Sequence, residues 1–175
     1  SSAASDVYKR QVPAPDSTVN VLAFEDFDNG DVSKWTYWDP NMDENYPVTE
    51  EGAADGTAGG SVFNPVAEYA YYSEGASWQN YTLELNWFAE KYSGVWPGIY
   101  FQIGDGKRNN LYISDGSTLT LETRGGGYYE AAVDFAKDAG AWAYLRIEQY
   151  DGNVKVFYNS KTKPVLDVTE DSLNG

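Results

Sequence analysis

The sequence predicts an all-β fold, a two-sheet antiparallel jelly-roll sandwich. Apolar and polar residues alternate with a period of two along most of the chain, which gives a strand one buried and one solvated face. Short polar turns, several of them Asp-Gly, separate the alternating runs. No stretch carries an apolar stripe at helical spacing, and EAAVDFAKDAGA (130–141) has room for one turn at most.

Taken in order, Ser1 to Gln11 (SSAASDVYKRQ), back-translated, resembles a transposase sequencing adapter read in frame, codon for codon. It is set aside as a segment not selected for any fold. A Pro-rich linker occupies 12–18, and the domain reads as 19–175. VNVLAFEDF (19–27) is the expected first strand and runs into the acidic turn DNGD (28–31). The polar, Gly-rich stretch 36–60 reads as an excursion or a functional loop, because structureless loops of that length are uncommon in compact domains. YTLELNW (81–87) sets Tyr81, Leu83, Leu85 and Trp87 against Thr82, Glu84 and Asn86. GIYFQIG (98–104) sets Ile99, Phe101 and Ile103 against Tyr100 and Gln102. NLYIS (110–114), STLTLETR (117–124), WAYLRIEQY (142–150) and NVKVFYN (153–159) continue in the same style. GDG (104–106), SDGS (114–117), RGGG (124–127) and DGN (151–153) supply the turns, and Asp151-Gly152 is a strong two-residue hairpin signal.

Composition narrows the chemistry. The chain has no Cys and no His, which excludes thiol catalysis, disulfides, Cys-type zinc sites and the commonest general base. Twelve Lys and Arg against 27 Asp and Glu give a formal net charge of −15, which repels nucleic acid and anionic lipid and admits cations and neutral ligands. No apolar run approaches the length of a membrane span. Fifteen Tyr and six Trp outnumber seven Phe, a bias toward rings with a polar handle that core packing alone would not select.

From Tyr81 onward the order WQNYTLELNW, GIYFQIGDGKRNNLYIS, STLTLETR, WAYLRIEQYDGNVKVFYNSK, PVLDVTEDSLNG resembles the laminin-G-like branch of the concanavalin A-like lectin/glucanase superfamily, of the bacterial carbohydrate-binding-module type. FEDFDNGDVSKW (24–35) resembles the first strand and Trp of those modules, while 36–60 has no counterpart. The resemblance implies a non-catalytic module that binds neutral glycans within a secreted or cell-surface bacterial protein with further domains. It also implies one or two strands beyond Gly175 that pair with the first, so the sandwich is expected to be incomplete at its C-terminal strands. Glucanases of the superfamily alternate two Glu and one Asp along one strand; here Glu84 and Glu90 have Asn86 and Phe88 between them, so that motif is missing. Glu84, Glu122 and Glu148 can still share a face from different strands, which leaves a glycoside-processing enzyme as an alternative. A ligand-free adhesion or spacer domain is the other.

Candidate site residues follow from parity. Ile99, Phe101, Leu119 and Leu121 take the core, so Tyr100, Gln102, Tyr112 and Arg124 face away and form a platform, joined by Tyr144 and Arg146. Trp96, in SGVWPG, stands at its rim, and Tyr128 follows three Gly residues. Trp35, Trp78, Trp87 and Trp142 read as packing residues. Two places suit a structural Ca²⁺. Asp39, Asn41, Asp43, Asn45 and Glu50 carry the ligand spacing of an EF-hand loop, with Glu44 where that loop needs Gly. The family resemblance implies the second at Glu25, Asp26 and Asp28.

Overall fold

The computed structural model describes residues 20–23, 34–37, 48–49, 62–63, 70–88, 98–135 and 140–174. Its frame is two four-stranded antiparallel sheets. Sheet I has the order β12-β11-β10-β5, formed by Leu166–Thr169, Asn153–Tyr158, Trp142–Tyr150 and Tyr81–Phe88. Sheet II has the order β6-β7-β8-β9, formed by Gly98–Gly104, Lys107–Ile113, Thr118–Glu122 and Tyr128–Ala132. Two short pairs precede them: β1 (Trp35–Tyr37) with β4 (Ala70–Tyr72), and β2 (Val48–Thr49) with β3 (Val62–Phe63). The predicted two-sheet sandwich is therefore present. Strand β5 rejoins the consecutive β10, β11 and β12 only after the chain has built all of sheet II, the Greek-key order on which jelly rolls rest.

Local chemistry sets the turns. Asp105 and Gly106 have φ of 52° and 69°, and Asp151 and Gly152 have φ of 45° and 80°. Positive φ at both central residues is the twist-matched hairpin turn, and Asp-Gly is the pair that tolerates it. The β7–β8 connection closes with the Ser114 N–H on the Thr118 carbonyl (2.9 Å), and the Asp115 carboxylate accepts the Ser117 N–H (3.0 Å) and hydroxyl (2.8 Å). The glycines of the β8–β9 turn make room. A Cβ on Gly125 would meet Ser172, and one on Gly127 would overlap Glu170, so the segment after β12 docks here only because the turn has no side chains there. Glu170 accepts the Tyr129 hydroxyl at 2.9 Å and is also bonded by Ser172, which clasps the end of sheet I to sheet II.

The core lies between the sheets. Leu111, Ile113, Leu119 and Leu121 from sheet II meet Leu145, Ile147, Val154 and Val156 from sheet I, all fully buried. Burial of each such side chain stabilises the fold by about 1.5–3 kcal/mol. Trp87 joins them edge-on against Phe135 at 5.6 Å. Trp35 and Trp78 pack instead around Tyr72, at 5.7 and 5.6 Å between ring centroids.

Four places sharpen or correct the sequence reading. Asn20–Ala23 form no ladder, and Val21 and Leu22 are exposed, so this part of the expected 19–27 strand is absent; both of its faces are apolar and it meets no partner strand among the described residues. Glu130–Ala132, the start of the stretch with room for one helical turn at most, belong to β9, where Tyr129 and Ala131 turn inward against Tyr128 and Glu130. Trp142 packs cross-strand against Phe88, and does so on the outer face of sheet I because its neighbours Ala143 and Leu145 hold the inner one. The largest departure is in β6. A bulge between Phe101 and Gly104, with Gln102 at φ 49°, reverses the alternation: Ile103 is 59% exposed and Gln102 turns inward.

That inward turn completes a chain of amides. Gln102 Nε2 donates to the Leu173 carbonyl at 3.1 Å, and Gln149 Nε2 donates to the same oxygen at 2.9 Å. Asn109 Nδ2 donates to Gln102 Oε1 at 2.5 Å, and the Arg124 N–H donates to Asn109 Oδ1 at 2.8 Å. Among the described residues no helix is long and apolar enough to cross a membrane.

The bulge makes a test that plain alternation would reverse. Asn109→Leu removes the bond to the Gln102 oxygen and the bond from the Arg124 N–H, and costs about 2 kcal/mol or more in urea unfolding. Ile103→Ser changes stability by less than about 0.5 kcal/mol. A costly Ile103→Ser with a silent Asn109→Leu would return Ile103 to the core.

Candidate functional site

The outer face of sheet II brings together part of the predicted platform. Tyr100, Asn110, Glu122 and Tyr128 lie in one cross-strand row through β6, β7, β8 and β9. Gly98, Tyr112, Thr120 and Glu130 form the next row. Tyr128 is 56% exposed, and its hydroxyl donates to Glu130 at 2.9 Å. The Arg108 guanidinium sits 4.3 Å over the Tyr100 ring, a cation–π stack that fixes both side chains.

Tyr112 keeps the expected face and loses the expected exposure. It is only 5% exposed, between Gly98 and the buried Thr120, and its hydroxyl donates to Glu122 at 2.9 Å. Gly98 permits this approach, since a Cβ there would stand 2.8 Å from the Tyr112 Cβ. Burial, and then the Glu122 carboxylate, push the Tyr112 hydroxyl above the usual tyrosine range. Tyr112 therefore orients Glu122 and offers little ring surface itself. Gln102 leaves the platform for the interior, as the bulge requires. Arg124 lies beyond the end of β8, in the turn, half-buried, with its backbone N–H on Asn109. Trp96 and the expected Ca²⁺ ligands Glu25, Asp26, Asp28, Asp39, Asn41 and Asp43 lie outside the described residues. Among the described residues no group of three Asp or Glu is placed to hold a metal ion.

Arg108 and Glu130, both on this face, were missed in the sequence. Arg108 alternates with Asn109 and Leu111, and Glu130 with Tyr129 and Ala131, so parity in KRNNLYI and YYEAA carries the signal for both.

The outer face of sheet I holds the other polar residues singled out by parity. Tyr144 donates its hydroxyl to Glu84 at 2.7 Å. Arg146 lies 3.0 Å from Glu148 and 3.9 Å from Glu84, and its guanidinium stacks 3.9 Å over the buried Phe157. Burial and the Glu84 carboxylate push the Tyr144 hydroxyl up to about 12. Glu84 and Glu148 are thus on one outer face and Glu122 on the opposite one, so the three glutamates do not converge. No protein-family model, curated protein or solved structure matches this chain.

The clasp and the tyrosines set the pH limits of stability. For Glu170, burial raises its pKa, but hydrogen bonds from Ser172, Thr123 and Tyr129 outweigh it and leave the carboxyl below its ordinary 4.5. That contribution is complete above about 4.5 and is lost as pH falls through the lower folded value. Tyr144 is the reverse case: its contribution is complete below its ordinary 10.0 and is lost as pH rises toward about 12. Melting temperature against pH is therefore expected to fall at both ends. Glu170→Gln makes the acid limb shallower and Tyr144→Phe the alkaline one, with Asp115 and Tyr112 keeping part of each. Unchanged limbs would mean that neither group titrates with folding.

Proposed function

We propose that the chain is a non-catalytic carbohydrate-binding domain that takes neutral glycans on the outer face of sheet II. The observation that supports this most directly is the row Tyr100–Asn110–Glu122–Tyr128, with the Tyr128 ring open to solvent. A pyranose presents C–H bonds on its faces and hydroxyls around its rim, so it needs a ring to stack on and oriented acceptors beside it. Tyr128 offers the ring. Glu122 and Glu130 offer acceptors already held by Tyr112 and Tyr128, which lowers the ordering cost of binding. The net charge of −15 favours neutral over acidic polysaccharides. An open face of this kind binds at roughly micromolar to millimolar Kd. The resemblance adds a setting, a secreted or cell-surface protein with further domains, and the SGVWPG loop makes Trp96 the proposed rim residue of the same face. Ca²⁺ is the proposed structural cation, at 25–28 or 39–50, since these segments offer oxygen and neither Cys nor His.

Titration with neutral oligosaccharides (laminari-, xylo- and cello-series), followed by backbone amide signals, is expected to shift residues of β7, β8 and β9. Tyr128→Ala weakens binding at this face by roughly tenfold, equivalent to about 1.4 kcal/mol, with the melting temperature nearly unchanged. No shift at millimolar sugar would leave the spacer reading. For the cation, millimolar Ca²⁺ raises the melting temperature by linkage to the native state. A rise that survives Asp43→Ala assigns the site to Glu25, Asp26 and Asp28, and no rise removes Ca²⁺ from the proposal.

A further inference from the structure

The outer face of sheet I carries an aromatic step at one end of β5 and β10. Phe88 on β5 is directly opposite Trp142 on β10, with ring centroids 5.4 Å apart and planes at 49°. Phe88 is 45% exposed, on a strand whose Leu83, Leu85 and Trp87 already pack against the core. Trp142 beside it is half-buried. On the same face and toward the other end of the strands come Tyr144, then Arg146 opposite Glu84, then Glu148. Alternate residues on one face are about 7 Å apart along a strand, so the polar groups begin within one sugar ring of the step.

These polar groups are held before any ligand arrives. The Tyr144 hydroxyl fixes Glu84, and Arg146 is anchored between Glu84 and Glu148 and stacked on Phe157. Their charges also cancel locally: Glu84 and Glu148 face Arg146, and Lys161 lies 5.5 Å over the Tyr144 ring. In a chain of net charge −15 this strip has no net sign. It matches a neutral polyhydroxyl ligand better than a cationic or an anionic partner.

We infer that this strip is a second glycan site, on the side of the sandwich opposite the first, which makes the domain a bivalent binder that bridges two neutral polysaccharide chains. The choice of ligand rests on the glycan reading above; the position does not, because the core separates the two faces. Two weak sites on one rigid body also raise avidity on an insoluble or clustered glycan without any tighter single contact.

The experiment uses the full chain and four forms: wild type, Tyr128→Ala, Trp142→Ala and the double variant. Amide signals are followed on titration with the three oligosaccharide series, and turbidity is followed with soluble laminarin and xylan. The expected result is two independent sets of shifts, one in β7–β9 and one in Phe88 and Trp142–Glu148. Trp142→Ala weakens the second set by at least tenfold and leaves the first in place. Turbidity from cross-linking disappears in either single variant. Phe88→Ser, at an exposed position, stands in if Trp142→Ala lowers the melting temperature. Shifts confined to β7–β9 overturn the second site and keep the first. Shifts confined to the Trp142 strip keep the strip as a site, overturn the bridging and reject the sheet II reading. No shifts anywhere reject both.

Discussion

One backbone oxygen holds the two sheets in register. The Leu173 carbonyl receives an amide from Gln149 on sheet I and another from Gln102 on sheet II, and through Gln102 and Asn109 the chain of bonds reaches the β8–β9 turn. Buried polar groups are costly unless paired, so this path fixes where each participating strand can lie. It accounts for the bulge in β6. An unbroken strand would send Gln102 to solvent with Tyr100 and leave Asn109 facing an apolar core. Left-handed backbone at Gln102 is the local cost of satisfying the interior, and the exposure of Ile103 follows from it.

The same shortage of donors explains the tyrosines. With 12 basic residues for 27 acidic ones, most carboxylates cannot find a cation. Tyr72, Tyr112, Tyr128, Tyr129 and Tyr144 instead donate to Glu74, Glu122, Glu130, Glu170 and Glu84. The excess of Tyr over Phe, which in the sequence suggests ligand handles, is in large part an internal supply of hydroxyl donors. What this leaves for a ligand is ring surface and carboxylate lone pairs, both already oriented.

Much of the fold was legible because its determinants are local. Asp105-Gly106 and Asp151-Gly152 specify their hairpins by themselves, and Leu83, Leu85, Leu145 and Ile147 announce the inner face of sheet I by alternation. The candidate site was legible only in part, because a face depends on register and on what lies across it. Tyr100 and Tyr128 keep their places because nothing interrupts the parity around them. Gln102 moves because its partner, Leu173, is 71 residues away, and no local signal marks a bulge that serves a distant carbonyl. The burial of Tyr112 depends on Gly98 and Thr120 on the adjacent strands, and the surface position of Trp142 on Ala143 having taken the inner face. The triple glycine at 125–127 reads only as a turn ahead of Tyr128; the space it leaves for Glu170 and Ser172 appears only when the clasp is assembled.

The placement of Leu173 has a consequence for biosynthesis. A ribosome delivers Gln102, Asn109 and Gln149 long before it delivers the carbonyl that pairs them, and Gly125 and Gly127 long before Glu170 and Ser172 fill the space beside them. The hairpins can form during elongation, since each is local, but the sandwich stays unlatched until the last described residues have left the exit tunnel. Closure therefore waits for Leu173, after every strand of both sheets has been made, instead of accompanying the hairpins as they form.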